Sequence, residues 1–294
     1  MKDRASLPSI AIIFTCYNRK EKTLRCMESL FTKKNNSKYN IHFYICDDAS
    51  TDGTFQELKR LYPEHTIYQS GGNLFWCKSM HSAMRLAVKD GFDYYLMIND
   101  DVEFTPNAID ALFDVYKRTD GYCSVVGEIA SRKTGRITYG GACVSSRKIL
   151  FFNLCYNKKW FAQMEQNHLV TCDLSNWNCF FVPQKIIESV GIIDGKYQHG
   201  YGDYDYSLRM KRKGIKQYIT QQIVGYCESN PKANTYFDAK TPRGVRIKKM
   251  FGKKCMPLYS HYRFHWRNFG FIGVLQVTWS YIKNIIKIIK KENI

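Results

Sequence analysis

Four short apolar runs recur in the first hundred residues, and three helical periods separate them. The runs are residues 9–15 (SIAIIFT), 41–46 (IHFYIC), 66–69 (TIYQ) and 94–98 (YYLMI). An unbroken apolar run of this length is a strand buried on both faces. Residues 20–32 have helical spacing, with Leu24, Met27, Leu30 and Phe31 on one face. A second helix opens after DDASTDGT and carries Phe55, Leu58 and Leu61, and a third covers residues 79–90. The order βαβαβαβ implies an α/β fold with a mostly parallel sheet flanked by helices.

In such sheets ligands sit beyond the carboxyl ends of the strands. Here those ends read Thr15-Cys16-Tyr17-Asn18-Arg19, Asp47-Asp48, Gly72-Asn73 and Asn99-Asp100-Asp101. Four polar ends converge on one rim. Asp100 and Asp101 are adjacent like charges at the end of a core strand, so a positive partner is expected beside them. One reading is a divalent-metal site that bridges a diphosphate; the other is a turn or helix cap, where Asp is common. Asp47 and Asp48 suit both an Asx turn and acceptance of a pyrimidine N3–H, one carboxylate each. Tyr17 could flank a base, while Thr15, Asn18 and Arg19 could contact base, ribose or phosphate.

The second half is less regular. Residues 135–144 read as a hairpin, 176–183 (NWNCFFVP) as an apolar strand with a polar start, and 184–190 as a short helix closed by Gly191. Residues 199–213 (HGYGDYDYSLRMKRK) form a Gly-rich loop entering an amphipathic helix. Asp203 and Asp205 lie at that entry; one could be a catalytic base and the other a cap or a partner for Arg209. His199, His261 and His265 are candidate metal or phosphate contacts. A soft boundary lies at residues 231–242. It divides a domain over 1–230, with halves at 1–105 and 106–230, from a basic aromatic extension over 231–294.

The 294 residues suffice for one large domain with an appendage, and 45% hydrophobic against 24% charged residues makes the chain globular. Net charge is +18, which attracts anions. Thirteen Lys and Arg fall from Lys240 onward, where Glu292 is the one acidic side chain. The eleven cysteines are scattered, odd in number and lack a CxxC pair, which argues for reduced thiols in the cytosol rather than disulfides or structural zinc. The amino-terminal MKDRASLPSI has no apolar leader core, and no run of 18 apolar residues exists to span a membrane. Residues 270–294 place Lys283, Lys287, Lys290 and Lys291 among apolar residues, as a basic helix on an anionic membrane surface would. Docking on its own core, or on a second copy in a homo-oligomer, is the alternative.

Together these segments resemble the family 2 inverting glycosyltransferases with the GT-A fold, and within them the bacterial rhamnosyltransferase-like branch. TCYNR is similar to the opening T-x-Y-N-R, CDDASTDGT to the base-binding acidic loop, and GGNLFW to a GN-L-W element. INDDV falls on the D-x-D position, with Asn99 in place of the first Asp. The resemblance therefore implies Asp101 as the ligand of Mn²⁺ or Mg²⁺. It implies a UDP- or dTDP-sugar donor held by Thr15, Tyr17, Asn18, Arg19, Asp47, Asp48, Asn73, Trp76, Asn99 and Asp100. GYGDYDYSLR looks like the E-D-x-D segment, with Gly202 replacing Glu and Asp203 on the base position. Trp177, Asn178, His199, Tyr201 and Asp205 would then face a saccharide or lipid-linked acceptor. A His commonly found some twenty residues past the base is missing in VGYCESNPK, which leaves Glu228 or water to complete the metal shell. The expected setting is synthesis of a surface polysaccharide such as capsule or O-antigen, on the inner face of the plasma membrane.

Two rivals follow from other readings. A nucleotidyltransferase would also use carboxylates and metal. A non-catalytic nucleic-acid-binding protein would explain the charge, but no nucleic-acid motif is present and the acidic strand ends would have no role.

Overall fold

The structure, a computed structural model, describes residues 7–144, 154–155, 169–292 and 294. Residues 1–6, part of the stretch read as lacking a leader, lie outside the described residues.

The strands are β1 Ser9–Cys16, β2 Asn40–Asp47, β3 Thr66–Gln69, β4 Tyr94–Ile98, β5 Glu103–Phe104, β6 Cys123–Ala130, β7 Ile137–Tyr139, β8 Gly141–Val144, β9 Leu154–Cys155, β10 Val170–Cys172, β11 Leu174–Ser175, β12 Cys179–Pro183 and β13 Lys216–Tyr226. The helices are α1 Lys20–Leu30, α2 Lys33–Asn36, α3 Thr54–Leu61, α4 Phe75–Asp90, α5 Ala108–Lys117, α6 Gln184–Val190, α7 Gly202–Arg212, α8 Arg243–Met250 and α9 Leu258–Ile289. The main sheet runs β10-β13-β6-β12-β4-β1-β2-β3. The half made of β3, β2, β1 and β4 is wholly parallel. β12 then enters antiparallel between β4 and β6, while β13 pairs parallel with β6.

β1 explains the unbroken apolar runs. Ile10, Ile12 and Phe14 pack into one cluster, Ala11 and Ile13 into the cluster on the opposite face, and all five are fully buried. Each large side chain so buried contributes about 1.5–3 kcal/mol. The order β2-β1-β4 places β1 at the point where the chain switches direction across the sheet, so a crevice opens beyond Cys16.

Two expectations change. The segment read as a hairpin over 135–144 does not pair with itself: β7 pairs with β6, and β8 pairs with β11 and β9. Gly140 sits between them, where an added Cβ would lie 2.6 Å from the Glu128 carboxylate, so the chain can turn away only without a side chain there. The helix expected from residue 79 begins at Phe75, for a reason given below.

Glu128 is 2% exposed on β6, and burial pushes its carboxyl up to about 8 against the stabilising N–H of Gly141. Its folded pKa lies above its unfolded one, so the native state binds the extra proton. Stability from this group is therefore intact below about pH 4.5 and falls as pH rises to about 8. Thermal melts from pH 5 to 8 should show wild-type stability declining, and Glu128→Gln should flatten that decline.

Candidate functional site

The carboxyl ends of the parallel strands surround a cavity of about 470 Å³, lined by residues that include Thr15, Tyr17, Arg19, Asp48, Asn73 and Trp76, with Asp100, His199 and Lys254 completing the wall. Its rim is laced by the turns after β1 and β2. The Asn18 N–H donates to Ser50 Oγ at 2.8 Å, and the Thr51 N–H donates back to Asn18 Oδ1 at 2.7 Å. Asn18 takes φ 51°, a left-handed conformation that Asn tolerates. Thr15 Oγ1 donates to the Cys46 carbonyl at 2.8 Å and so joins β1 to β2.

Asp47 and Asp48 divide the work. Asp47 is fully buried and accepts from the Ser50 N–H at 2.7 Å and Gln69 Nε2 at 3.0 Å, which makes it the turn former. Asp48 reaches the cavity. Its Oδ1 accepts from Ser70 Oγ at 2.7 Å and the Leu74 N–H at 3.1 Å, and its Oδ2 from the Phe75 N–H at 2.9 Å. A carboxylate has about four acceptor positions, so one is left over after these three donors. Asp48 is thereby the cap that lets α4 begin at Phe75. The cap lies 27 residues upstream, and no local capping sequence announces the helix start.

The positive partner expected beside Asp100 and Asp101 is Arg19. Its Nη1 lies 3.2 Å from Asp100 Oδ1 and 2.9 Å from Asp101 Oδ2. Asp100 also accepts from Thr23 Oγ1 at 3.3 Å. Burial nonetheless pushes the Asp100 carboxyl up to about 7, with Arg19 pulling down and Asp101 pushing up. Asp100 lines the cavity. Asp101 opens on a neighbouring hollow of about 340 Å³ together with Cys227 and Glu228. Glu228 is turned to Ser131 Oγ at 2.8 Å and to the Lys133 N–H at 3.3 Å. Asn99 points elsewhere: its Oδ1 accepts from Trp76 Nε1 at 2.8 Å, so it positions the indole that walls the cavity. Among the described residues no group of three or more His, Cys, Asp or Glu gathers as a metal site. Two hard carboxylates still fit Mg²⁺ or Mn²⁺, which bind through one or two carboxylates plus substrate phosphates and water.

Asp203 stands in the first turn of α7. Burial raises its carboxyl to about 6, opposed by N–H donors that include Tyr204 and Trp177. Trp177 in turn meets the cavity-wall Trp76 edge-on at 6.1 Å, while Asp203 itself stands behind that wall and is not among the residues lining the cavity. Gly202 packs on α4: a Cβ there would run into Cys77 Sγ and lie 2.9 Å from Ile193 Cδ1. A Glu at 202 has no room in this packing.

Several residues assigned to an acceptor surface are interior. Trp177 is 1% exposed and stacks on Phe180 at 5.1 Å, and Asn178 is buried. Asp205 is fully buried and accepts from Tyr197 at 3.1 Å, Arg209 Nε at 3.2 Å and Asn268 Nδ2 at 3.2 Å. Tyr201 packs on His261 and Phe264 at 4.5 and 4.7 Å. Burial lowers His261 to about 3 and His265 to about 4, and neither lines the cavity. These side chains are aromatic packing and helix anchoring. His199 does line the cavity; burial, then Lys254 and Arg19, lower it to about 4, so it stands neutral. Lys254 was not singled out from the sequence. Its one signal there was the basic bias beyond Lys240.

The chain belongs to glycosyl transferase family 2, whose model matches residues 11–166. Solved structures similar in fold include a mannosyltransferase from Pyrobaculum calidifontis in complex with GDP-Man and Mn²⁺. It is 12% identical with a TM-score of 0.57, over 95% of this chain and 75% of that one. S. aureus TarS 1–349 is also 12% identical, with a TM-score of 0.52 over 95% of this chain and 80% of that one. GalNAc-T7 with UDP, GalNAc and Mn²⁺ is 11% identical, with a TM-score of 0.52 over 98% of this chain and 57% of that one. Curated protein sequences gave no match. The α/β fold is thus consistent with the GT-A type, and the chain is a glycosyltransferase by family.

Asp48 generates a test. Asp48→Ala leaves the Leu74 and Phe75 N–H groups without their acceptor and should cost roughly 1–3 kcal/mol. Denaturant unfolding should show the loss, and Asp48→Asn, which keeps one acceptor oxygen, should recover part of it.

Proposed function

We propose that the protein is an inverting glycosyltransferase that moves a sugar from a nucleoside-diphosphate sugar, UDP- or dTDP-linked, to a hydroxyl of a saccharide or lipid-linked acceptor. Synthesis of a bacterial surface polysaccharide is the setting the resemblance favours. The observation that carries this reading is the cavity at the parallel strand ends, with Asp48 at one wall and Arg19 and Asp100 at another. Tyr17 and Asp48 would hold the base, and Arg19, Asp100 and Asn73 the sugar-phosphate portion. Mn²⁺ or Mg²⁺ would be held by Asp100 and Asp101, with Arg19 yielding its place, and would neutralise charge on the leaving diphosphate. The Mn²⁺ in two of the fold relatives favours this choice.

Asp203 serves as base. It takes the proton of the acceptor hydroxyl as that oxygen bonds to the anomeric carbon and the bond to the phosphate oxygen breaks. A single displacement inverts the anomeric centre. A carboxyl raised to about 6 is ionised at neutral pH yet basic enough for this proton transfer.

The direct test is a panel of nucleotide-sugars with Mn²⁺, read by thermal stabilisation and product formation. No stabilisation by any donor overturns the reading. Asp203→Asn should lower kcat by roughly 10²–10⁴-fold with donor Kd nearly unchanged. Wild-type kcat/KM should fall as pH drops below about 6, where Asp203 takes up its proton. An equal collapse of donor binding would move Asp203 to the donor site.

The extension suits a peripheral place on the inner face of the plasma membrane. No described helix is long and apolar enough to cross a membrane. α9 has two apolar faces beyond Gly270. Val277, Tyr281 and Ile288 are buried with Met250 and Met256. Phe271, Leu275, Trp279, Ile282, Ile286 and Ile289 are 43–67% exposed, at helical spacing beside Lys283, Lys287 and Lys290. Each lysine near an anionic surface adds about 1 kcal/mol. Sedimentation should show binding to anionic liposomes, weak binding to neutral ones and release by salt. Replacing Lys283, Lys287, Lys290 and Lys291 by Gln should weaken it. Equal binding to neutral vesicles would overturn the role of the lysines, and binding to neither would assign the stripe to internal or oligomeric packing.

A further inference from the structure

The donor cavity receives two side chains from beyond the family-matched region, His199 and, farthest along the chain, Lys254. Lys254 lies on the turn between α8 and α9 and lines the cavity alongside His199 and Asp100. Its Nζ lies 5.9 Å from the ring centre of Tyr17, and Lys253 Nζ lies 5.0 Å from that of Phe75, another cavity-wall residue.

The turn that carries these lysines is fixed. The Gly252 N–H donates to the Lys249 carbonyl at 3.0 Å, the Cys255 N–H to Gly252 at 3.0 Å and the Met256 N–H to Met250 at 2.9 Å. Met250 and Met256 sit in the buried cluster with Tyr281, and Tyr281 Oη donates to the Met256 carbonyl at 2.7 Å. The lysines are therefore held at the cavity from behind while their own side chains stay exposed.

No carboxylate pairs with Lys253 or Lys254 among the described residues, whereas Arg19, the other cation of the cavity, is engaged by Asp100 and Asp101. The cavity's acidic side chains, Asp48 and Asp100, would repel a polyanion. Beside a metal held by Asp100 and Asp101, a cation without a carboxylate partner adds to the attraction.

We propose that Lys254, with Lys253 beside it, is a ligand of the donor's diphosphate that the carboxyl-terminal extension delivers to the active site. The proposal rests on the donor-site reading above. It makes the extension part of the catalytic unit.

The test uses the full chain and calorimetry. UDP, dTDP and GDP, each with its monophosphate, are titrated into wild type, Lys254→Met and Lys254→Arg in Mn²⁺. Melting temperatures without ligand confirm that the exposed substitutions leave the fold intact. The diphosphate that wild type binds should bind Lys254→Met roughly tenfold to a hundredfold more weakly. Its monophosphate should change little, Lys254→Arg should recover most of the affinity, and the salt dependence of diphosphate binding should become shallower in Lys254→Met. Equal diphosphate affinity in wild type and Lys254→Met overturns the role of Lys254 and leaves the donor-site reading standing. Equal losses for mono- and diphosphate also overturn it, because they would mark a general effect on the cavity. If wild type binds none of the nucleotides, the donor-site reading fails and this proposal with it.

Discussion

Two carboxylates at the end of one core strand must be reconciled with each other, and Arg19 does this. At about 4 Å two like charges cost on the order of 4 kcal/mol in a partly buried setting, and a guanidinium between them reverses the sign. Meeting both Asp100 and Asp101 fixes where Arg19 must be, and the loop that carries it is fixed in turn. Asn18 is tied to Ser50 and Thr51, and the Lys20 N–H donates to Asp52 at 3.0 Å. The ends of β1, β2 and β4 are thus set as a unit. Burial still outweighs Arg19 at Asp100, so the site keeps an appetite for further positive charge.

The parallel half of the sheet was legible because its strands are apolar on both faces and its helices are periodic. β6 and β13 were not. Their sequences, CSVVGEIA and KQYITQQIVGY, carry polar residues that the fold buries in mutual contact. Gln217 Oε1 accepts from Ser175 Oγ at 3.1 Å while its Nε2 donates to Asp173 at 2.9 Å, and Thr220 Oγ1 accepts from the Glu128 N–H at 2.9 Å. Polar strands satisfied by remote partners leave no period in the sequence. The start of α4 was hidden for the same reason, since its cap belongs to another strand.

At the site, residue types at strand ends pointed to the cavity, and Asp48, Arg19 and Asp100 are there, joined by His199 from the loop before α7. Trp177, Asn178, Tyr201 and Asp205, which the resemblance places toward the acceptor, are engaged in packing and hydrogen bonds, and Asp205 makes the pair with Arg209 that the spacing offered. Asp205 illustrates the difference. Spacing offered catalysis, a cap or a partner for Arg209; the structure surrounds it with Tyr197, Arg209 and Asn268. Asn268 belongs to α9, as do Arg263 and Arg267, whose guanidiniums meet Asp194 at 2.7 and 2.8 Å. The extension is therefore bolted to the domain next to the helix that bears Asp203.

Gly202 has a consequence for how this sequence can vary. It abuts Cys77 and Ile193 so closely that no side chain fits. The acidic residue that the resemblance places at this position cannot return by one substitution. It would need a smaller residue at 77 and a shift at 193 in the same step, and contacting sites of this kind do not add independently. Positions 77, 193 and 202 are therefore coupled, and any side chain at 202 calls for room made at the other two, where α7 meets α4.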